Sequence, residues 1–252
     1  MVNRMRVRLS VALLLIAAMM LSSGCMYRQE MKRTNANPAV IREEIARVQA
    51  AVDQYRKERT VLPIKNSSES TPIYEKYVID VRSLVEGQYL SSLPSNAYEK
   101  GGSYYYVLVD VETEPAVKLM NVVAYQQVND LEAAIRAKAK DNGGRLPLGI
   151  ELAPGFYTID FESLGVSPLQ IEGAFPGHFL PLIVHESGTV AVDYALDIAK
   201  AMEQAAIANA VFDQAGDLRE VLVSQTNFVP IRSYPYVWKD NQPVVAESLD
   251  NQ

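Results

Sequence analysis

The 252-residue sequence predicts an α+β protein made of two sequential helix-plus-antiparallel-sheet repeats and a partial third. Three observations carry that expectation. Apolar residues at helical spacing, Ile41, Ile45, Val48, Val52 and Tyr55, return as Ala124, Val128, Leu131 and Ile135. An octet, Tyr77-Val78-Ile79-Asp80-Val81-Arg82-Ser83-Leu84, returns as Tyr157-Thr158-Ile159-Asp160-Phe161-Glu162-Ser163-Leu164, identical at five of eight positions. Each octet is followed by two alternating apolar runs around turn residues, a hairpin pattern.

The chain opens with Arg4, Arg6 and Arg8, no acid, and an almost wholly apolar run from Leu9 to Leu21. A basic start, a short apolar run and small residues before a cleavage point read as a secretory signal over residues 1–24. The run is shorter than the ~18 residues a spanning helix needs. Cleavage between Gly24 and Cys25 leaves the sole cysteine as the first mature residue, which excludes an internal disulfide framework. Residues 25–38 are polar and read as a tether of about 20 Å if flexible. Without the signal the chain carries 21 basic against 30 acidic residues, a net charge of −9. That balance speaks against nucleic acid as a partner and against general adhesion to an anionic bilayer.

The first unit is expected over 39–120. Its helix runs toward Leu62-Pro63, then come a loop near Ser67–Ser70, the octet, and a hairpin built on Tyr105, Val107, Val109 and Val111 against Val117 and Leu119. The second unit, 121–193, repeats the plan. Asn142-Gly143-Gly144 stops its helix, Leu146-Pro147 matches the first Leu-Pro pair, and the octet lies four residues closer. Its hairpin pairs Leu180, Leu182 and Val184 with Val190 and Val192 around Ser187-Gly188. Pro181 predicts an edge position for the first of those strands. Residues 194–252 are expected to form the partial third unit and a tail. An alanine-rich helix begins near Asp193, apolar stretches follow at Leu218–Val223 and Phe228–Trp238, and Val244–Gln252 reads as frayed.

Leu21-Ser22-Ser23-Gly24-Cys25 resembles the lipobox of bacterial lipoproteins, with Ser22 where leucine is usual. The resemblance implies a diacylglyceryl group on the Cys25 thiol and palmitate-type acylation. At about 0.8 kcal/mol per buried methylene, two or three chains make a stable anchor. It also implies a cell-membrane location on the extracytoplasmic face. The order helix, Leu-Pro, octet and hairpin is similar to the globular part of bacterial pseudopilins, although the pilin-type signal is replaced by the lipobox. Lipobox and duplicated octet together resemble uncharacterised lipoproteins of Gram-positive spore-formers, some labelled periplasmic binding proteins of ABC transporters.

Residues that carry chemistry are sparse. Asp80 and Asp160 each precede a short helical stretch and suit helix caps, with Ser83 and Ser163 three residues on. His178 and His185, the only histidines, lie seven apart, on opposite faces of a regular strand, and do not share a metal. Ser187 falls in a turn without a nucleophile elbow, and no phosphate-cradling or dinucleotide glycine pattern occurs. No catalytic residue, metal site or cofactor is expected. Aromatics are the exception. Tyr104 and Tyr106 in the first unit, and Tyr234, Tyr236 and Trp238 at the end, either cover a core or form an interaction surface. The expected function is therefore that of a non-enzymatic envelope interaction or accessory protein. The alternative is a solute-binding receptor of an ABC-type transporter, holding its ligand between units. An envelope protein or a small solute is the expected partner.

Overall fold

The computed structural model describes residues 37–210, 213 and 216–248. Gly24, Cys25 and all but the last residues of the expected tether lie outside them. Helix α1 spans Pro38–Arg59. Asn37 caps it by accepting the Ala39 N–H at 2.9 Å. Pro38 takes the first helical position, where a missing N–H costs nothing. Thr60 ends the helix in the left-handed region, and Arg56, Lys57 and Arg59 complement the negative end of its dipole. Two short helices follow, α2 (Ile73–Lys76) and α3 (Val81–Glu86), then the hairpin β1 (Tyr104–Val109) and β2 (Ala116–Asn121).

Helix α4 (Val122–Asp141) starts directly on β2, with Asn121 as its cap. The second unit continues with β3 (Leu148–Ala153), β4 (Phe156–Ile159), α5 (Phe161–Leu164), β5 (Ile171–Glu172), β6 (Phe179–Leu180), β7 (Leu182–His185) and β8 (Val190–Val192). Strands β3, β4, β7 and β8 form an antiparallel sheet in that order, and β5 pairs with β6. Helices α6 (Ala195–Ile207) and α7 (Arg219–Gln225) and the hairpin β9 (Tyr236–Lys239) and β10 (Gln242–Val245) complete the chain.

The architecture is α+β, as the periodicity predicts, and the duplication is visible bond by bond. The Asp80 N–H donates to the Pro63 carbonyl at 2.8 Å and the Asp160 N–H to the Pro147 carbonyl at 2.9 Å. Ile64 bridges Ile79 as Leu148 pairs with Ile159, and Val78 bridges Val107 as Thr158 pairs with Ile183. Each long helix also sends one side chain to the start of the last strand of its unit. Gln49 Oε1 accepts the Val117 N–H at 2.8 Å, and Glu132 Oε2 accepts the Val190 N–H at 3.0 Å. Both aspartates cap as expected, accepting the N–H of Ser83 at 3.2 Å and of Ser163 at 3.0 Å. Gly102 closes the turn before β1, where a Cβ would fall 2.1 Å from the Asn96 carbonyl oxygen.

The units differ where the first has its extra residues. The second fills the stretch between Leu-Pro and octet with the β3–β4 hairpin. The first uses a single bridge and α2, whose Tyr74 and Glu75 reach the last part of the chain. The Arg219 guanidinium stacks over the Tyr74 ring at 5.1 Å, and Glu75 Oε1 accepts the Arg232 N–H at 2.6 Å.

Two cores result. Ile41, Val48 and Val52 of α1 cover one face of the first hairpin, burying Tyr104, Tyr106 and Leu108. The opposite face, Val107, Val109 and Met120, joins the larger core of the second sheet, α4, α6 and α7. The segment between α7 and β9 binds both units. Leu119 of β2 donates to the Asn227 carbonyl at 2.8 Å and accepts from Val229 at 3.0 Å, while Val192 of β8 donates to the Arg232 carbonyl at 3.0 Å.

Three expectations are corrected. Pro181 does not place its strand at an edge. It divides the run into β6, paired with β5, and β7, which lies inside the four-stranded sheet between β4 and β8. The missing N–H falls in the gap between two ladders, where nothing requires it. His178 lies before β6, so the two histidines do not share a strand. The start of the expected tail is β10, turned back on β9 by Asp240 and Asn241, both at positive φ (49° and 61°). That is the backbone of a tight hairpin turn. Val245 is buried in the larger core.

Candidate functional site

The expected aromatic surface is for the most part interior. Tyr106 and Tyr236 are 1% and 0% exposed, and Tyr104 is buried as well. Tyr106 Oη donates to Asn96 Oδ1 in the first core. Tyr236 Oη donates to Asp193 Oδ1 at 2.7 Å and accepts the Tyr194 N–H at 2.8 Å. Tyr194 Oη in turn accepts the Ile231 N–H at 3.1 Å. The Tyr194 and Tyr236 rings staple the last segment to the second unit. Burial drives each phenol pKa upward. Tyr234 and Trp238 are half-buried. Tyr234 stands edge-on to Phe156 at 4.8 Å, and Trp238 packs against the larger core. Tyr236 and Trp238 lie two apart on β9, with Tyr236 fully buried, while Tyr234 precedes the strand.

A cavity of about 460 Å³ opens where the three parts of the chain meet. Pro38 and Ile41, in the first turn of α1, form one wall. Asn121 and Ala124, at the start of α4, and Tyr104 of β1 form the next. The loop from Ile171 to Phe179 closes a third side, and Gln204 of α6 with the stretch Gln225–Val229 closes the fourth. Tyr104 and Phe228 lie 5.7 Å apart within this lining. Burial raises the Tyr104 phenol pKa, with a further push from the Glu172 carboxylate.

The 171–179 loop is held by one fully buried acid. Asp197, in the first turn of α6, accepts the Ala174 N–H at 2.5 Å and bonds His178 Nδ1 at 3.0 Å. Its 0% exposure is tolerable only because these partners replace water. Gly173 is required beside it, since a Cβ there would lie 2.6 Å from Asp197 Oδ2. The His178 ring, partly exposed, packs near Phe175 at 5.8 Å. Sequence reasoning missed this pair. An acid inside an apolar alanine-rich helix, four residues after Asp193, was the available sign.

His185 is used differently. Its Nδ1 accepts the Ser187 N–H at 3.2 Å and lies 2.9 Å from Ser187 Oγ, which also meets Thr189 Oγ1 at 3.0 Å. This is turn chemistry in the β7–β8 hairpin. No group of three or more His, Cys, Asp and Glu among the described residues is placed to hold a metal ion.

A smaller hollow of about 320 Å³ lies between α2 and the segment Arg232–Pro235, and Tyr234 lines it. Its charges are matched. The Arg219 guanidinium donates two hydrogen bonds to the Asp217 carboxylate, from Nε and Nη2 to Oδ2 at 2.8 and 2.6 Å, and Arg232 pairs with Glu132. Burial pushes the Glu132 carboxyl up. The Val190 N–H and the guanidinia of Arg232 and Arg136 outweigh it and hold the pKa below the usual value. Glu75 is more deeply buried, and its pKa is raised by that burial despite the Arg232 N–H.

Residues 41–121 match a family described as the YphF family N-terminal domain. The matched stretch runs from the first turn of α1 to the last residue of β2, nearly all of the first unit. No curated protein and no solved structure matches the chain.

Proposed function

We propose that this chain is a non-enzymatic, lipid-anchored extracytoplasmic protein that binds a small solute in the cavity at the junction of its units. The observation that carries the reading is the cavity itself. Ligand pockets run from roughly 300 to 1,000 Å³, favour the junctions of structural units, and combine apolar walls with a few polar groups. The junction cavity has each of these properties. The aromatic residues that the sequence offers as a docking face are largely spent on the core, which shifts the balance from accessory protein to receptor. The lipobox-like segment ending in Cys25 supports the anchor.

Two experiments test the reading. Full-length protein in detergent is unfolded thermally with pooled sugars, amines, amino acids, peptides and nucleosides. A ligand at about 100 times its dissociation constant adds about 2.7 kcal/mol to stability, a plain rise in melting temperature. Gln204→Trp, which puts bulk at an exposed wall position, is expected to abolish that rise. Absence of a rise with every pool counts against a receptor. For the anchor, cells fed labelled palmitate are expected to label the wild-type chain and not Cys25→Ser.

The accessory reading keeps one specific observation. Among the described residues strand β3 has one neighbouring strand, β4, and Ile150 and Leu152 on it are 74% and 49% exposed. An unpaired edge of this kind accepts a strand from a partner. Crosslinking from β3 in native membranes separates the two readings.

A further inference from the structure

We propose that the junction cavity takes a neutral carbohydrate. The proposal rests on the reading of that cavity as a ligand site and names the chemistry of its occupant. Among the described residues lining it there is no lysine or arginine. An anionic ligand would lose its hydration without gaining a charged partner, at high cost. The carboxylate in the lining, Glu172, is solvent-exposed, and a screened surface charge holds a cation weakly.

What the lining does offer is suited to hydroxyl groups. Gln204 and Asn227 each present a carboxamide, one acceptor and two donors, with no hydrogen bond to another described residue. Asn121 spends its Oδ1 on the Ala124 N–H and keeps its amide nitrogen. Such amides match vicinal hydroxyls, each of which both donates and accepts. Beside them the lining holds the aromatic rings of Tyr104, Phe175 and Phe228. Aromatic faces carry partial negative charge, and the C–H groups of a pyranose ring present a complementary, weakly positive apolar face. His178 completes the set. Its Nδ1 is occupied by the buried Asp197, which orients the ring beside the cavity.

The experiment titrates full-length protein, in a detergent without a sugar headgroup, with glucose, N-acetylglucosamine and their β-1,4-linked dimers. Glucuronate, choline and a dipeptide run in parallel. The expected result is a concentration-dependent rise in melting temperature with at least one neutral saccharide and none with glucuronate. Asn227→Ala and Gln204→Ala, both at positions outside the cores, are expected to weaken affinity by roughly three- to tenfold each. No response to any neutral saccharide overturns the proposal, and so does an equal response to glucuronate. A saccharide response unchanged in both alanine variants places binding elsewhere and overturns it too. A response to choline or the dipeptide alone, lost in Gln204→Trp, refutes the carbohydrate while leaving the cavity a binding site.

Discussion

Glu75 and Glu132 face the same arginine, Arg232, and their carboxyl groups shift in opposite senses. Glu75 has its pKa raised by burial. Its contribution to stability is present below the ordinary value of 4.5 and is lost as pH rises through the raised one. Glu75→Gln, which keeps the acceptor for the Arg232 N–H, should therefore gain on the wild type as pH goes from 4 to 7. Glu132 has a lowered pKa, so its contribution is present above 4.5 and is lost as pH falls through the lowered value. Glu132→Gln should be the less stable protein at pH 7, with the gap closing in acid. Melting temperatures from pH 7 down to about 2 read both signs, since the Glu132 window lies below 4.5 and the Glu75 window above it. The two octet aspartates make a second test at this scale. Asp80→Ala and Asp160→Ala each remove a helix cap and should cost about 1 kcal/mol in urea unfolding.

Among the elements, those fixed by nearby residues were legible in the sequence. The octets could be read because extended stretch, cap and short helix are all set within eight residues, and both copies make the same cap, Asp80 to the Ser83 N–H and Asp160 to the Ser163 N–H. The β7–β8 turn at Ser187-Gly188 was readable for the same reason. The frayed tail expected from Val244 takes in the end of β10, Val244 and Val245, although Asp240-Asn241 just before that strand is a pair that tolerates the left-handed backbone a hairpin turn demands. Helix α7 was seen only as an apolar stretch, since seven residues give too little periodicity. What holds it is distant in the chain. Lys118 of β2 donates to the carbonyls of Val223 and Thr226 at 2.6 and 2.7 Å, at the negative end of α7. Asp217, just before α7, binds the buried Arg219 guanidinium. Asp217→Ala leaves that cation buried and unpaired and should cost about 3–5 kcal/mol, measurable by denaturant unfolding. The cavity was not legible at all, because its walls come from loops and helix ends far apart in sequence.

At the scale of the whole molecule, the stretch Asn227–Arg232 extends both sheets. It lies beside β2 at Leu119 and beside β8 at Val192, and it supplies part of the cavity wall. A chain ending at residue 226 should lose protection from hydrogen exchange at the amides of both Leu119 and Val192. Loss at only one of them would mean the segment belongs to a single unit.

A polypeptide emerges from its ribosome with its N-terminal end leading. Both halves of this protein therefore wait, incompletely bordered, for the same late-arriving stretch. The chamber they share with it has no wall on that side until nearly the entire length has been delivered. That wall is complete only in a molecule whose stretch Asn227–Val229 is in place.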